Sequence, residues 1–146
     1  MTVLAGLGAA TAGLGVQAEA YFGRDRFSAF GGAGYSPSFD EDGTVYARGA
    51  GVSGGLRAYT PGRVHRGYLE VAYGPLAAEG APEGFPRDEL ALAYGPAAQA
   101  GWRMTRPGGF TLSLSVGVGH VSDTDLAEGD TDVVAFIGLG KTWRRK

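Results

Sequence analysis

Bulky apolar residues alternate with small or polar residues along most of this chain. The clearest run covers residues 110–122, where Phe110, Leu112, Leu114 and Val116 take every second position and threonine, serine and glycine fill most of the others. The same period of two recurs over residues 12–22 and 46–59. Since successive side chains of a strand point to opposite faces of a sheet, these runs predict β-strands with one apolar face.

Turn-forming residues divide the chain, and the connections alternate between short and long. Tight turns with glycine or proline fall at residues 23–26, 60–63 and 105–109, and longer polar stretches at 38–43, 79–88 and 123–132. The intervening segments predict eight strands, over residues 2–8, 12–22, 26–36, 44–59, 64–78, 89–104, 110–121 and 132–143. This alternation is typical of outer-membrane barrels. We therefore expect an all-β fold with one domain over residues 1–146, a closed antiparallel transmembrane β-barrel in up-and-down order.

The composition of the face opposite the apolar one indicates which side of the sheet meets water. Residues 110–121 carry no formal charge, whereas about a quarter or more of a soluble protein's surface is charged. We therefore place the apolar face in lipid and the small face in a lumen with room only for side chains. The period of two directs a set of polar residues into that lumen, where opposite charges should pair: Glu19, Arg57, Arg66, Glu70, Gln99 and Arg103. The alternative is a soluble sheet with these side chains in water.

Aromatic residues fall near both ends of the predicted strands. Tyrosine and tryptophan favour the water interface of a membrane, so this division predicts two aromatic girdles. The girdle near the short turns and the C-terminus consists of Phe22, Phe27, Tyr59, Trp102, Phe110 and Trp143. The girdle near the long loops consists of Tyr35, Tyr46, Tyr73 and Tyr94. The alternative explanation is the ordinary preference of strands for aromatic residues.

A short motif occurs twice, as Ala-Tyr-Gly-Pro at residues 72–75 and 93–96. The two copies are symmetric about the loop near Glu83, so they should face each other across a hairpin. Because proline cannot donate a ladder hydrogen bond, we expect a bulge or the end of regular pairing there. A binding motif is the alternative interpretation.

Composition narrows the possible functions. The chain has no cysteine, which excludes disulfides and thiolate chemistry. Its 13 basic and 15 acidic residues give a formal charge of -2, so nucleic acid is not an expected partner. No apolar run approaches the roughly 18 residues of a membrane helix. We expect no cofactor and no metal site, and we assume that a signal peptide has been removed from an exported precursor.

The last predicted strand carries a resemblance to a known family. Val133, Ala135, Ile137 and Leu139 alternate toward a terminal aromatic residue, Trp143. In this the chain resembles the OmpA-like and OmpX-like small outer-membrane barrels, although Lys141 interrupts the series and three basic residues follow Trp143. The resemblance implies a monomeric protein integral to the bacterial outer membrane. Its implied partners are outer-membrane lipid and, through the C-terminal strand, the barrel assembly machinery.

Three function classes stay open. The preferred one is a structural, envelope-interaction or adhesion-type barrel that is not an enzyme. A narrow pore is disfavoured because side chains fill the lumen of eight strands. The third is a lipid hydrolase, since His120 and Ser122 with an acid such as Asp130 are similar to the site of lipid A deacylase barrels, in which serine attacks an ester and histidine takes its proton. The Asp-rich loop over residues 123–132 could also bind a cation, but it lacks EF-hand spacing.

Overall fold

The structure is a computed structural model that describes residues 1–36, 40–41, 44–46, 49–78, 80–81, 92–121 and 131–143. Eight strands form the barrel wall: β1 (Thr2–Gly8), β2 (Gly13–Phe22), β3 (Phe27–Ser36), β4 (Gly49–Tyr59), β5 (His65–Ala78), β6 (Leu92–Thr105), β7 (Phe110–His120) and β8 (Thr131–Thr142). Each strand pairs antiparallel with the next one in the chain, and β1 pairs with β8 to close the barrel. The predicted architecture, a closed all-β meander of eight antiparallel strands, is confirmed.

The short turns lie together at one end of the barrel, with the N-terminus and Trp143. Backbone hydrogen bonds close two of these turns, from Arg26 to Gly23 and from Gly109 to Arg106. The long connections belong to the opposite end and fall largely outside the described residues. The only helical segment among the described residues is one short 3-10 turn. The described residues include no helix that is long and apolar enough to cross a membrane.

One predicted strand is divided in two. The period of two predicts a single strand over residues 44–59, but Thr44–Tyr46 pairs with Asp40–Glu41 and Gly80–Ala81 in a separate three-stranded sheet. The barrel strand β4 begins at Gly49, which pairs with Ser36 at the end of β3. Alternation identifies extended backbone without identifying its partner strand, so the pattern could not place this break.

Side chains alternate between lumen and exterior along every barrel strand. On β2, Gln17 and Glu19 are buried while Leu14, Val16 and Phe22 are exposed. On β7 the same alternation buries the threonine and serine side and exposes the apolar side. On these two strands the interior therefore carries the small and polar face that the sequence pattern separates from the bulky apolar face.

The connection between β1 and β2 folds into the barrel. Residues Ala9–Thr11 form the 3-10 turn, and Ala10, Thr11 and Ala12 have no exposed surface. The Ala10 carbonyl accepts a hydrogen bond from Ser53 Oγ of β4 at 2.8 Å. Left-handed backbone at Ala12 and positive φ at Gly8 and Gly13 bend the chain inward. We call residues 9–12 the plug.

Candidate functional site

A hydrogen-bonded ion network occupies the half of the lumen near the short turns, and Glu19 of β2 is its centre. Its Oε2 accepts from Nη1 of Arg103 at 2.5 Å and from Nη1 of Arg57 at 3.3 Å. Its Oε1 accepts from Ser28 Oγ and Tyr59 Oη, both at 2.5 Å. One buried carboxylate therefore takes four donors, from three other strands.

Glu70 supplies the second carboxylate of the network. Its Oε2 accepts from Arg57 Nε at 2.5 Å, and its Oε1 accepts from Gln99 Nε2 at 3.0 Å. Gln99 in turn accepts from Ser115 Oγ at 2.9 Å. Two carboxylates and two guanidinium groups give the cluster no net charge, and every described buried polar side-chain atom has a hydrogen-bond partner. This satisfies the condition under which charges persist in a low-dielectric interior.

Arg66 lies outside that cluster, at the lumen mouth between the short turns. Its guanidinium carbon stands 4.2 Å from the centre of the Tyr59 ring, and its nitrogens donate to the backbone carbonyls of Thr60 and Asp25. The mouth is a cavity of about 450 Å³ whose floor includes Arg103. Of the six predicted lumen residues, five meet in one network and Arg66 caps the entrance.

A chain of hydroxyl groups lines the same end of the barrel. Thr142 Oγ1 lies 2.7 Å from the hydroxyls of both Thr2 and Thr111. Thr2 also contacts Tyr21 Oη at 2.9 Å, and Tyr21 accepts from Arg103 Nη1 at 2.6 Å. The hydroxyls thus join β7, β8, β1 and β2 to the ion network and stiffen this end of the wall.

An apolar layer and the plug close the lumen beyond the network. Phe30, Phe136, Leu4 and Ala10 form a buried cluster, and the Phe30 ring stacks 4.2 Å from the Arg57 guanidinium carbon. Ala10 belongs to the plug, so the plug packs directly onto this layer from the long-loop end. The lumen is therefore filled in three successive layers, and the cavities at its two ends share no described lining residue.

Inward-facing glycines make room for the plug and for the aromatic rings inside the barrel. A Cβ on Gly34 would lie 2.1 Å from the Thr11 carbonyl oxygen, and one on Gly32 would lie 2.3 Å from that of Ala10. A Cβ on Gly138 would meet the Phe136 ring at 2.5 Å. Much of the high glycine content therefore serves the close approach of the plug backbone and the aromatic rings to the wall.

The exterior is a belt of exposed apolar side chains that includes every barrel strand. Leu14 is 66% exposed, Leu69 67% and Val133 78%, and each strand contributes at least one such side chain. Among the described outward-facing strand residues, Lys141, next to the short-turn end, is the one with a formal charge. Soluble monomers rarely expose contiguous apolar patches above a few hundred Å².

Most of the aromatic residues predicted to form the two girdles lie on the outer surface of the barrel. The rings on the outer surface, fully or partly exposed, are Phe22, Phe27, Tyr35, Tyr73, Tyr94, Trp102, Phe110 and Trp143. The prediction is wrong for Tyr59, which points into the lumen and bonds to Glu19. Tyr59 lies two residues after Arg57 on the same strand, so both side chains point to the same face of the sheet. This alternation decides the position of the Tyr59 ring, although a short turn is close. The side chain of Tyr46 lies outside the described residues.

The repeated Ala-Tyr-Gly-Pro motifs face each other as predicted. Tyr73 pairs with Pro96 and Pro75 with Tyr94, and the two tyrosine rings stack with centres 6.2 Å apart. The ladder has its irregularity at Pro75, and the pairing of β4 with β5 ends just before it, at Tyr73. Beyond that point the Tyr94 hydroxyl of β6 accepts a hydrogen bond from the Val52 amide of β4 at 3.4 Å. A side chain therefore links these strands where the backbone ladder between β4 and β5 has ended.

The possible hydrolase site falls only partly within the described structure. His120 stands on the outer face at the end of β7, and its Nδ1 lies 3.4 Å from Thr131 Oγ1. Ser122 and Asp130 lie outside the described residues, as does most of the Asp-rich loop. The catalytic interpretation of this motif therefore stays a prediction.

Several members of the lumen network were not singled out from the sequence. They share the inward parity of their strands and are Gln17, Tyr21, Ser28, Tyr68, Ser113 and Ser115. Arg103 contacts Ser113 at 3.4 Å, and Tyr68 reaches the same serine at 3.1 Å. The signal that could have identified them is parity, since each lies two residues from a predicted lumen position or faces one across a ladder, except Ser115, which lies two residues from Ser113.

Comparisons of the chain with known protein families, with curated proteins and with solved structures give no match.

Proposed function

We propose that this chain is an integral outer-membrane barrel of the OmpA-like and OmpX-like kind, with a structural, envelope-interaction or adhesion-type role and no open pore. The observation that supports this most strongly is the inversion of polarity. The buried residues include a neutral cluster of two acids and two arginines, whereas the exposed strand faces are mainly aliphatic and aromatic, with Lys141 as the one formal charge among the described residues. Lipid outside the barrel accounts for both.

The filled lumen supports a role that does not depend on conduction. Water or a solute crossing the barrel would have to displace the plug, the apolar layer and the ion network in turn. The long connections would then carry contacts with the surroundings outside the cell, and the short turns would face the periplasm, as in barrels of this class.

Arginine in place of Val116, in the middle of the outer face of β7, discriminates between lipid and water outside the barrel. In a membrane this change should lower the free energy of unfolding by about 2 to 4 kcal/mol. In a soluble barrel Val116 is an exposed surface residue, and the change should stay within about 0.5 kcal/mol. The same change at Val64, which lies in a short connection and not on the outer strand face, is the matched control and should have little effect in either case.

The measurement is urea unfolding of protein folded into phosphatidylcholine vesicles, preceded by flotation to show that the protein is inserted. We expect the protein to float with the vesicles and to show no conductance steps in a planar bilayer. A protein that stays monodisperse without detergent, and in which Val116→Arg is harmless, would overturn the membrane proposal. Steady conductance through the unmodified barrel would overturn the closed lumen.

A further inference from the structure

The barrel wall is incomplete on one side at its long-loop end. The ladder between β1 and β8 stops at the pair Gly8–Phe136, although β8 begins five residues earlier in the chain at Thr131. Residues 133–135 pair with β7 along one edge. No described strand pairs with their other edge, because β1 ends at Gly8 and the chain turns inward to the plug.

A cavity of about 240 Å³ occupies this gap. Val134, whose side chain points into the barrel and is 5% exposed, lines it together with Val133 and Ala135, which point outward. Val133 and Ala135 lie on the stretch of β8 that the β1 ladder does not reach, and the cavity is open rather than enclosed. The cavity therefore lies at the gap in the wall, between the interior of the barrel and its outer surface.

The side chains that line the cavity are all apolar, and its polar surface comes from the backbone. Leu76, Leu92 and Pro75 form the far wall, and the plug residues Ala9 and Ala12 form the floor. No described lining residue carries a formal charge. These side chains offer van der Waals contacts to a hydrocarbon chain, and the backbone supplies the polar surface beside it.

The rim of the cavity is polar because of its backbone. The Ala135 carbonyl lies against Gly8. Because alternate residues of an antiparallel strand direct their N–H and C=O groups toward the same neighbour, the corresponding groups of Val133 point to the edge that the β1 ladder does not cover. Backbone groups of this kind need a partner when water is scarce. An ester, hydroxyl or carboxyl group joined to a hydrocarbon chain offers one.

We propose that this side opening binds a membrane amphiphile, with its hydrocarbon chain in the cavity above the plug and its polar linkage at the free edge of β8. The inference rests on the proposed membrane location, since the opening faces the apolar belt. Because the plug forms the floor, the chain enters from the side and does not pass along the barrel axis. The amphiphile is either a free fatty acid or one chain of a membrane lipid.

Photolabelling of protein folded in phosphatidylcholine vesicles tests this. One arm uses palmitate with a diazirine near its methyl end, and the other uses phosphatidylcholine carrying the same chain. Mass spectrometry should find label on Leu76, Leu92 and residues 133–135 at about ten times the level on outward residues of β4, such as Leu56. Label in only one arm would identify the source as free acid or as membrane lipid.

Tryptophan in place of Val134 fills the cavity from inside the barrel, and Leu76→Trp fills it from the opposite wall. Either change should lower the cavity label about tenfold, which corresponds to excluding about two methylene groups from it. The matched control is Ile137→Trp, on the outer face of the same strand where β8 pairs with β1. This variant should keep the label, and urea midpoints report that each variant is folded.

The failures of the two proposals are distinguishable. Even labelling around the belt of vesicle-inserted protein, or label unchanged in both folded filling variants, would overturn the side opening and leave the membrane proposal standing. A protein that does not float with vesicles would overturn the membrane proposal, and the side opening with it.

Discussion

Glutamine in place of Glu19 should destabilise the barrel much more than the same acid-to-amide change at Asp25. Glu19 is 2% exposed and accepts four hydrogen bonds, two of them from arginines. The change leaves the shape of the side chain almost intact. It removes the carboxylate that pairs with Arg103 and leaves the cluster with one uncompensated positive charge.

The magnitude follows from how the remaining groups are paired. Arg57 keeps Glu70 at 2.5 Å, but Arg103 has no second carboxylate among its described partners. Removing one member of a buried ion pair typically costs about 3 to 5 kcal/mol. With a urea slope of about 2 kcal/mol per molar, that lowers the unfolding midpoint by about 1.5 to 2.5 M. Asp25→Asn, in an exposed turn, should stay within about 0.5 kcal/mol.

The assay is equilibrium urea unfolding in vesicles, followed through the fluorescence of Trp102 and Trp143. Adding Arg103→Met to Glu19→Gln removes the stranded charge, so the double variant should be more stable than Glu19→Gln alone. A Glu19→Gln midpoint equal to that of Asp25→Asn would show that water screens the network and would refute the reasoning. So would a double variant whose loss is the sum of two large single losses.

Two further predictions concern the packing of the lumen. Gly34→Ala should lower the free energy of unfolding by about 1 to 3 kcal/mol, because its Cβ meets the Thr11 carbonyl, which cannot move without moving the plug; Gly31→Ala on the outer face of β3 should be nearly neutral in the same urea titration. Tyr59→Phe should cost about 1.5 to 3 kcal/mol, since it removes a hydrogen bond to a carboxylate. Tyr73→Phe on the outer rim should change the midpoint little, and equal effects of the two tyrosine changes would contradict the inward position of Tyr59.

The barrel itself could be predicted from the sequence because one simple pattern governs it. A closed sheet with lipid on one side and packed side chains on the other keeps a strict period of two, and tight turns interrupt that period visibly. Strand ends therefore fall within a few residues of the predicted ones. The exception is the strand predicted over residues 44–59, where two segments share the pattern and pair with different neighbours.

The lumen network could be anticipated only in part. Parity is enough to direct Glu19, Arg57, Glu70 and Arg103 to one face, but it does not give the order of contacts. That order depends on strand tilt and register, which bring Glu19 of β2 to Arg103 of β6 from the opposite side of the barrel. The same limit explains Tyr59, whose closeness to a turn indicated a rim position while its parity indicated the lumen.

The inward-facing glycines are the sequence feature that accompanies the plug, and the structure is needed to interpret them. Glycines on the inward face suggest relief of crowding at a curved wall, and no local feature of residues 9–12 says that a turn fills the space. Gly32 and Gly34 face the lumen at the end where the plug enters, and backbone carbonyls of Ala10 and Thr11 occupy the positions their side chains would take. Contacts between the plug and single glycines of the wall do not repeat at a fixed interval along the chain, so a periodic pattern cannot predict them.

One structural cause underlies both the closed lumen and the open side of the wall. Since β1 ends at Gly8 and turns inward, it both supplies the plug and leaves residues 133–135 of β8 without a described paired strand on that edge. A change that displaces the plug should therefore alter the photolabelling. We expect Gly34→Ala to spread the label deeper into the lumen, toward Phe136, while the apolar layer and the ion network keep the planar bilayer free of conductance steps. A folded Gly34→Ala variant whose label stayed confined to the cavity would show that the plug and the side opening are independent.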